Sequence, residues 1–219
     1  MVTRKPTWRT IKIPRRRIRT SKISVLGLDC SSAVVGWGLV VLDEKPSLVA
    51  YGHFKPLNNK CPEMERLDDV YKKITELCDE LKPTYVAVED IFLFMKGKSK
   101  AQTITILTAF NRIASLAGYH SSSGVKFYSV HNIRKIIKLM NPDIKVTIAK
   151  EDVPDIIIKY LEPQFTKMLN RNKETAKETY DETDGIASAW ACALHQLNHK
   201  IIDPILEKPI KKKKNGNIK

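Results

Sequence analysis

The stretch from Glu63 to Glu89 narrows the folds open to this chain more than any other. Apolar residues recur there at i, i+3, i+4 spacing (Met64, Leu67, Val70, Tyr71, Ile74, Leu77, Cys78, Leu81), Pro83 stops the pattern, and Tyr85-Val86-Ala87-Val88 follows as a nearly all-apolar run ending on Glu89. An amphipathic helix that feeds a strand buried on both faces is the second half of a βαβ crossover, and it sets that strand parallel to one that precedes the helix. Three apolar runs come before it: Ile23 to Asp29, Gly36 to Leu42 and Leu48 to Phe54. Their close spacing reads as an antiparallel meander. Downstream, the pattern predicts a helix over about 101–118, a strand over 125–130, shorter helices around 131–141 and 148–161, and a last helix over about 180–199. The expected fold class is α/β, a mixed five-stranded sheet flanked by helices, with parallel strands added beside the meander.

Charge divides the chain into three parts. The formal net charge is +14, yet residues 1–22 hold nine basic residues and no acid, and residues 205–219 hold six basic residues and one acid. The remainder carries 23 charges of each sign. This predicts a basic N-terminal arm (1–22), one globular domain (23–204) and a basic C-terminal tail (205–219), with the arms aimed at a polyanion such as nucleic acid or an anionic membrane. A body of this size suits one domain. Within it, residues 91–150 hold ten basic residues, Lys96, Lys98 and Lys100 among them, against the single acid Asp143. That basic middle, between two acidic flanks, reads as a second polyanion-facing surface; a solubilising face is the plainer alternative.

No apolar run approaches the roughly 20 residues of a membrane-spanning helix, and Ile23 to Leu28 is too short for a secretory signal. The expectation is a soluble intracellular protein. An Arg-rich, acid-free N-terminus also fits an organelle-targeting segment, although it lacks Ser and Ala enrichment. Cys30, Cys61, Cys78 and Cys192 form no C-x-x-C pair and have no His at zinc spacing, so they read as reduced thiols.

Four acids stand out by position. Asp29 ends the first strand, Glu89 ends the fourth, and Asp181 and Asp184 stand three apart on one face at the start of the last helix. If the first and fourth strands are parallel neighbours, Asp29 and Glu89 meet at the carboxyl edge of the sheet, where ligands bind in open α/β folds. Like charges buried together call for a divalent cation, and oxygen ligands without His or Cys favour Mg²⁺ or Mn²⁺ over zinc. Each acid also has a structural reading. Thr179 and Glu182 fit a capping box, so Asp181 and Asp184 would be helix stabilisers; Asp29 before Cys30-Ser31-Ser32 fits an Asx turn; Glu89-Asp90 fits an exposed strand end. The order strand-Asp, strand-Glu, helix-Asp-x-x-Asp is the stronger signal, because all three elements deliver an acid to one edge.

Val25-Leu26-Gly27-Leu28-Asp29-Cys30-Ser31-Ser32, Val35-Gly36-Trp37-Gly38, Pro83-Thr84-Tyr85-Val86-Ala87-Val88-Glu89-Asp90-Ile91-Phe92 and Tyr180-Asp181-Glu182-Thr183-Asp184-Gly185-Ile186-Ala187-Ser188-Ala189 resemble, in order, the motifs of RuvC-type Holliday junction resolvases. The resemblance covers about residues 23–198. It implies a ribonuclease H-like fold, a homodimer, and symmetric cutting of four-way DNA junctions with two Mg²⁺ ions (Mn²⁺ substituting) held by Asp29, Glu89, Asp181 and Asp184. It further implies that Phe92 stacks on an unpaired base near the crossover, with a core phenylalanine as the alternative. Arg134 and Lys150 fall near positions that contact DNA phosphate, and Lys96, Lys98 and Lys100 add to that surface. Cys30-Ser31 departs from the family's frequent Pro-Gly, and the basic arms have no family counterpart. The helix at 101–118, with Ile104, Leu107, Phe110, Ile113, Ala114 and Ala117, is either the dimer face or packing for its own sheet. The family setting implies the cytoplasm of a bacterium or of a phage-infected host. The rival readings are a broader ribonuclease H-like nuclease on branched DNA or RNA–DNA hybrids, and a nucleic-acid-binding protein without catalysis.

Overall fold

In the computed structural model, the described residues are 9–10, 23–43, 45–91, 101–122, 124–144, 147–161 and 176–206. The strands are β1 (Arg9–Thr10), β2 (Ile23–Cys30), β3 (Val35–Leu42), β4 (Pro46–Phe54), β5 (Tyr85–Asp90) and β6 (Val125–Ser129). The helices are α1 (Glu63–Leu81), α2 (Ala101–Ser121), α3 (Val130–Met140), α4 (Val153–Tyr160) and α5 (Ala176–Leu206). The strand order is β1-β4-β3-β2-β5-β6. β2, β3 and β4 form the antiparallel meander, and β5 and β6 add in parallel beside β2. The five expected strands are therefore present in the expected mixed sheet. A sixth strand, β1, pairs two residues of the N-terminal arm with β4, as Arg9↔Tyr51 and Thr10↔Ala50.

The two-residue period of the strands sorts the core into two layers. Leu26, Leu28, Val86 and Val88 face α1 and α2, where they meet Val70, Ile74, Leu77, Phe110, Ala114 and Ala117. Burying each large aliphatic side chain in this layer contributes about 1.5–3 kcal/mol. The alternate residues Val25 and Ala87 face the other layer, built from α3, α4 and α5 with Ile133, Ile136, Ile157, Ile186 and Trp190. α1 ends where the pattern stops: Lys82 adopts a left-handed conformation (φ 47°), its N–H donates to the Cys78 carbonyl, and Pro83 follows.

Helix α5 lies flush on the sheet because three strand residues beneath it, Gly27, Gly36 and Gly38, lack a side chain. A Cβ on Gly27 would stand 2.1 Å from the Gly185 carbonyl oxygen, and one on Gly36 would stand 1.9 Å from the Asp181 carbonyl oxygen. Only glycine permits that approach. The helix also runs beyond its expected end near residue 199: it kinks at Asn198 (φ −127°) and continues through Pro204 to Leu206. Lys135 Nζ donates to the Ile205 carbonyl (2.8 Å), and His195 Nε2 lies 2.5 Å from Asp203 Oδ1, which fastens the added turns. Among the described residues no helix is long and apolar enough to cross a membrane. The four cysteines are free thiols.

The apolar face of α2 packs on its own sheet through its middle and second half, while Ile104 and Leu107 at its start stay half-exposed. Phe110, Ala114 and Ala117 are fully buried there, with Ile113 against them, so these residues are core and not a subunit face. Leu116 and Tyr119 on α2 and Phe127 on β6 are the large apolar side chains that remain exposed nearby.

Candidate active site

The parallel pairing of β2 with β5 runs Val25↔Tyr85, Leu26↔Val86, Gly27↔Ala87 and Leu28↔Val88. Asp29 and Glu89 are the next residues on each strand, at the carboxyl edge of the sheet. They share the face of Gly27 and Ala87, which is the face covered by α5. Asp181 and Asp184 stand on α5 above that edge, with the Asp181 backbone seated over Gly36.

The four carboxylates share one field. Burial raises the Asp29 pKa to about 7, helped by the charges of Asp184 and Asp181, while Lys150 opposes the rise. Burial likewise lifts Glu89 to about 9, with Asp29 and Asp184 adding to it and Lys150 and Arg134 opposing. Desolvation first, and neighbouring like charge second, keep both acids from ionising freely. Lys150 Nζ lies 3.0 Å from Asp184 Oδ2, with the lysine half exposed and the aspartate largely covered.

Three further features support the edge. Asn111 on α2 donates from Nδ2 to the Glu89 carbonyl oxygen (2.7 Å) and so holds the end of β5. Ser31 closes the turn after Asp29: its N–H and Oγ both donate to the Val34 carbonyl, at 3.0 and 2.8 Å. The Ser32 carbonyl in the same turn accepts from Arg66 Nη2 (2.6 Å). This is how the chain builds the turn with Cys30-Ser31. The Cys30 thiol belongs to the opposite layer, and burial together with the charges of Asp29 and Glu89 pushes its pKa well up, so it is an inert neighbour.

The capping-box reading of Glu182 does not hold. Helix α5 begins at Ala176, so Asp181 and Asp184 lie past its first turn, and Glu182 is buried against the sheet with Oε1 2.7 Å from His53 Nδ1. The Asx-turn and strand-end readings of Asp29 and Glu89 also give way, because both residues are half-buried at the ends of neighbouring parallel strands, with the Asp29 charge acting on Glu89.

Arg134 stands at the rim. With Glu89 and Asp184 it lines a small apolar cavity between α3, α4 and α5, and its Nη1 donates to the Ile148 carbonyl (3.4 Å). On its other side, Arg134 joins His131, Lys135, Lys138 and Thr147 along a surface groove of about 480 Å³ whose described lining holds no carboxylate. Phe92, Lys96, Lys98 and Lys100 lie outside the described residues.

The donor set fits a divalent cation. It consists of oxygen ligands only, and two of the acids carry raised pKa values that an added positive charge would relieve. Among the described residues no three carboxylate, His or Cys groups already close around one metal-sized point. Asp184 Oδ2 is instead engaged by the Lys150 ammonium group, which a cation bound at that oxygen would displace.

Comparison with known proteins points to one family. The family model described as crossover junction endodeoxyribonuclease RuvC matches residues 25–153. The crossover junction endodeoxyribonuclease RuvC of Fusobacterium nucleatum is 31% identical over 106 residues, covering 48% of this chain and 53% of that protein. The chain thus spans about half the length of that relative. The RuvC of Magnetococcus marinus is 26% identical over 177 residues, covering 80% of this chain and 86% of that one. Among solved structures, Thermus thermophilus RuvC in complex with a Holliday junction substrate aligns with a TM-score of 0.60 at 18% identity, over 80% of this chain and 95% of its own. The yeast mitochondrial Holliday junction resolvase Ydc2 aligns with a TM-score of 0.56 at 11% identity, over 83% and 85%. These two likenesses concern the fold.

Proposed function

Because the chain belongs to the crossover junction endodeoxyribonuclease RuvC family, we propose that this endonuclease makes paired nicks in four-way DNA junctions as a homodimer. In this reading Asp29, Glu89, Asp181 and Asp184 hold two Mg²⁺ ions per site, with Mn²⁺ able to substitute. The observation that carries it is the half-buried pair Asp29 and Glu89 at the ends of neighbouring parallel strands, both with raised pKa values: desolvation comes first in each, Asp29 adds to the rise at Glu89, and Asp184 acts on both.

Bound divalent ions supply an activated water nucleophile and charge neutralisation at the leaving oxygen. The protein's own contribution is geometric and electrostatic. The sheet edge fixes Asp29 and Glu89, α5 presents Asp181 and Asp184 opposite them, and Asn111 keeps the end of β5 from fraying. Lys150 and Arg134 bring positive charge to the rim, where a phosphodiester carries its negative charge. The groove of His131, Arg134, Lys135 and Lys138 leads away from that rim and suits the sugar–phosphate backbone of one junction arm. The arms at 1–22 and 205–219 add affinity that does not depend on sequence. Two active sites facing opposite strands require two copies of the chain, and Leu116, Tyr119 and Phe127 are among the exposed apolar residues available to that contact.

A substrate panel tests the reading. Incubated with Mg²⁺, the protein should cut a four-way junction in paired nicks in preference to flap, duplex and RNA–DNA hybrid of matched sequence. Equal cutting of all branched forms or of the hybrid would point instead to a broader ribonuclease H-like nuclease. Junction binding without cutting, in Mg²⁺ and in Mn²⁺, would point to a non-catalytic binding protein.

A further inference from the structure

Between Asp181 and Asp184 lies a third acid whose carboxylate is held from the sheet by His53. Glu182 is 2% exposed and its Oε1 stands 2.7 Å from His53 Nδ1, a contact that spans 129 residues of sequence. A carboxylate buried at a helix–sheet interface is costly without a partner, so this pair governs how the helix can sit. The register across the meander shows what it governs. Asp29 pairs with Gly36, and Gly36 pairs with His53, so the three residues form one row across β2, β3 and β4 on the face beneath α5. The Asp181 backbone seats over Gly36 in the middle of that row. One end of the row thus carries a site carboxylate, the middle carries the helix, and the far end carries the group that holds Glu182.

We propose that His53 is a positioning residue for the metal site: through Glu182 it fixes the rotation of α5 about its own axis, and thereby the direction in which Asp181 and Asp184 face Asp29 and Glu89. Neighbouring residues on a helix stand about 100° apart, so a clamp on Glu182 sets the phase of the residues on either side of it. Gly36 and Gly27 fix the height of the helix over the sheet and Ile186 and Trp190 seat its middle in the core, while the His53–Glu182 contact adds the side-chain tie at the turn that carries Asp181 and Asp184. The inference rests on the reading that Asp181 and Asp184 hold a divalent cation.

The test uses the full-length protein, with Mg²⁺ titrated by calorimetry in the absence of DNA and the Mg²⁺ dependence of junction cutting measured beside it. His53→Leu should weaken Mg²⁺ binding about 10-fold or more, the usual cost of losing a residue that orients a metal ligand. Its junction affinity in EDTA should stay unchanged, and cutting should recover at high Mg²⁺. His53→Asn places an N–H donor near the Nδ1 position and should stay within about threefold of the unaltered protein. The double variant His53→Leu with Glu182→Leu removes the orphaned carboxylate, so it should regain thermal stability without regaining Mg²⁺ affinity. It also carries the test if His53→Leu alone does not fold. Mg²⁺ affinity of the unaltered protein's strength in the folded double variant would overturn the inference, as would a His53→Leu protein that loses thermal stability alone. If the unaltered protein binds no Mg²⁺, the metal reading itself falls and this inference with it.

Discussion

Lys150 places its ammonium nitrogen 3.0 Å from the Asp184 carboxylate, and its charge also reaches Asp29 and Glu89. The same lysine therefore has two relations to the site: it balances the acids, and it competes with a cation for one of them. Lys150→Gln should bind Mg²⁺ as tightly as the unaltered protein or more tightly, since a competitor is gone. Cutting at saturating Mg²⁺ should nevertheless fall about 10-fold or more, because a positive charge beside the scissile phosphate is removed. Calorimetry and single-turnover cleavage measure the two effects separately, and weaker Mg²⁺ binding in Lys150→Gln would contradict this account.

The raised pKa of Asp29 makes the site a burden on stability. An acid that holds its proton more tightly in the folded chain than in the unfolded one contributes fully below its ordinary value of 3.8, and that contribution drains away as pH rises through about 7. Glu89 extends the loss to about pH 9. In EDTA the melting temperature should therefore fall between pH 6 and pH 9. Asp29→Asn cannot ionise, so at pH 8.5 it should melt higher than the unaltered protein, by on the order of 5 °C. Thermal melts at the two pH values check this; a variant less stable at pH 8.5 would contradict the crowding of charge at the sheet edge. The same protons must leave when a cation binds, so Mg²⁺ affinity should rise with pH over this interval.

The groove beside Arg134 gives a prediction about salt. Lys135→Gln with Lys138→Gln should leave the rate of cutting of bound junction unchanged and reduce the dependence of binding on ionic strength, by about 0.9 in the log–log slope for each phosphate the protein no longer neutralises. Replacing Lys211, Lys212, Lys213 and Lys214 with Gln in the full chain should do the same, again without touching the chemical step. Junction affinity measured across a salt series, in Ca²⁺ so that the substrate stays whole, reads both. An unchanged slope in the groove variant would move the arm of the junction to another surface.

Much of this site was legible in the sequence because its first two acids stand at the ends of periodic elements. The short apolar runs that end on Asp29 and Glu89 and the 3.6-residue pattern of α1 imply the parallel pairing, and the pairing brings the two acids together. The five main strands and α1 follow from the same patterns. The partners were hidden for a different reason. His53 and Glu182 are distant in sequence, and Glu182 after Thr179 imitates a capping box; the buried contact exists only once α5 lies on β3 and β4. Asn111 gave a faint signal, an amide on the apolar face of α2, but its bond to the Glu89 carbonyl depends on how α2 packs against β5. Lys150 entered the reading only through the family resemblance, and its contact with Asp184 was not legible, since no local pattern reports which acid a lysine will reach. The two readings of the α2 face stayed open for a plainer reason: an apolar helix face suits a partner chain and its own sheet equally well, and Phe110, Ala114 and Ala117 went to the sheet.

The most direct test of the central claim is cleavage of a synthetic four-way junction by the unaltered protein and by Glu89→Gln, each with Mg²⁺ and with EDTA, alongside junction binding. The carboxylate account expects symmetric paired nicks from the unaltered protein in Mg²⁺, none in EDTA, and a loss of about 1,000-fold or more in Glu89→Gln with binding retained. Nicks that persist in EDTA, or a Glu89→Gln protein that cuts at the unaltered rate, would contradict it.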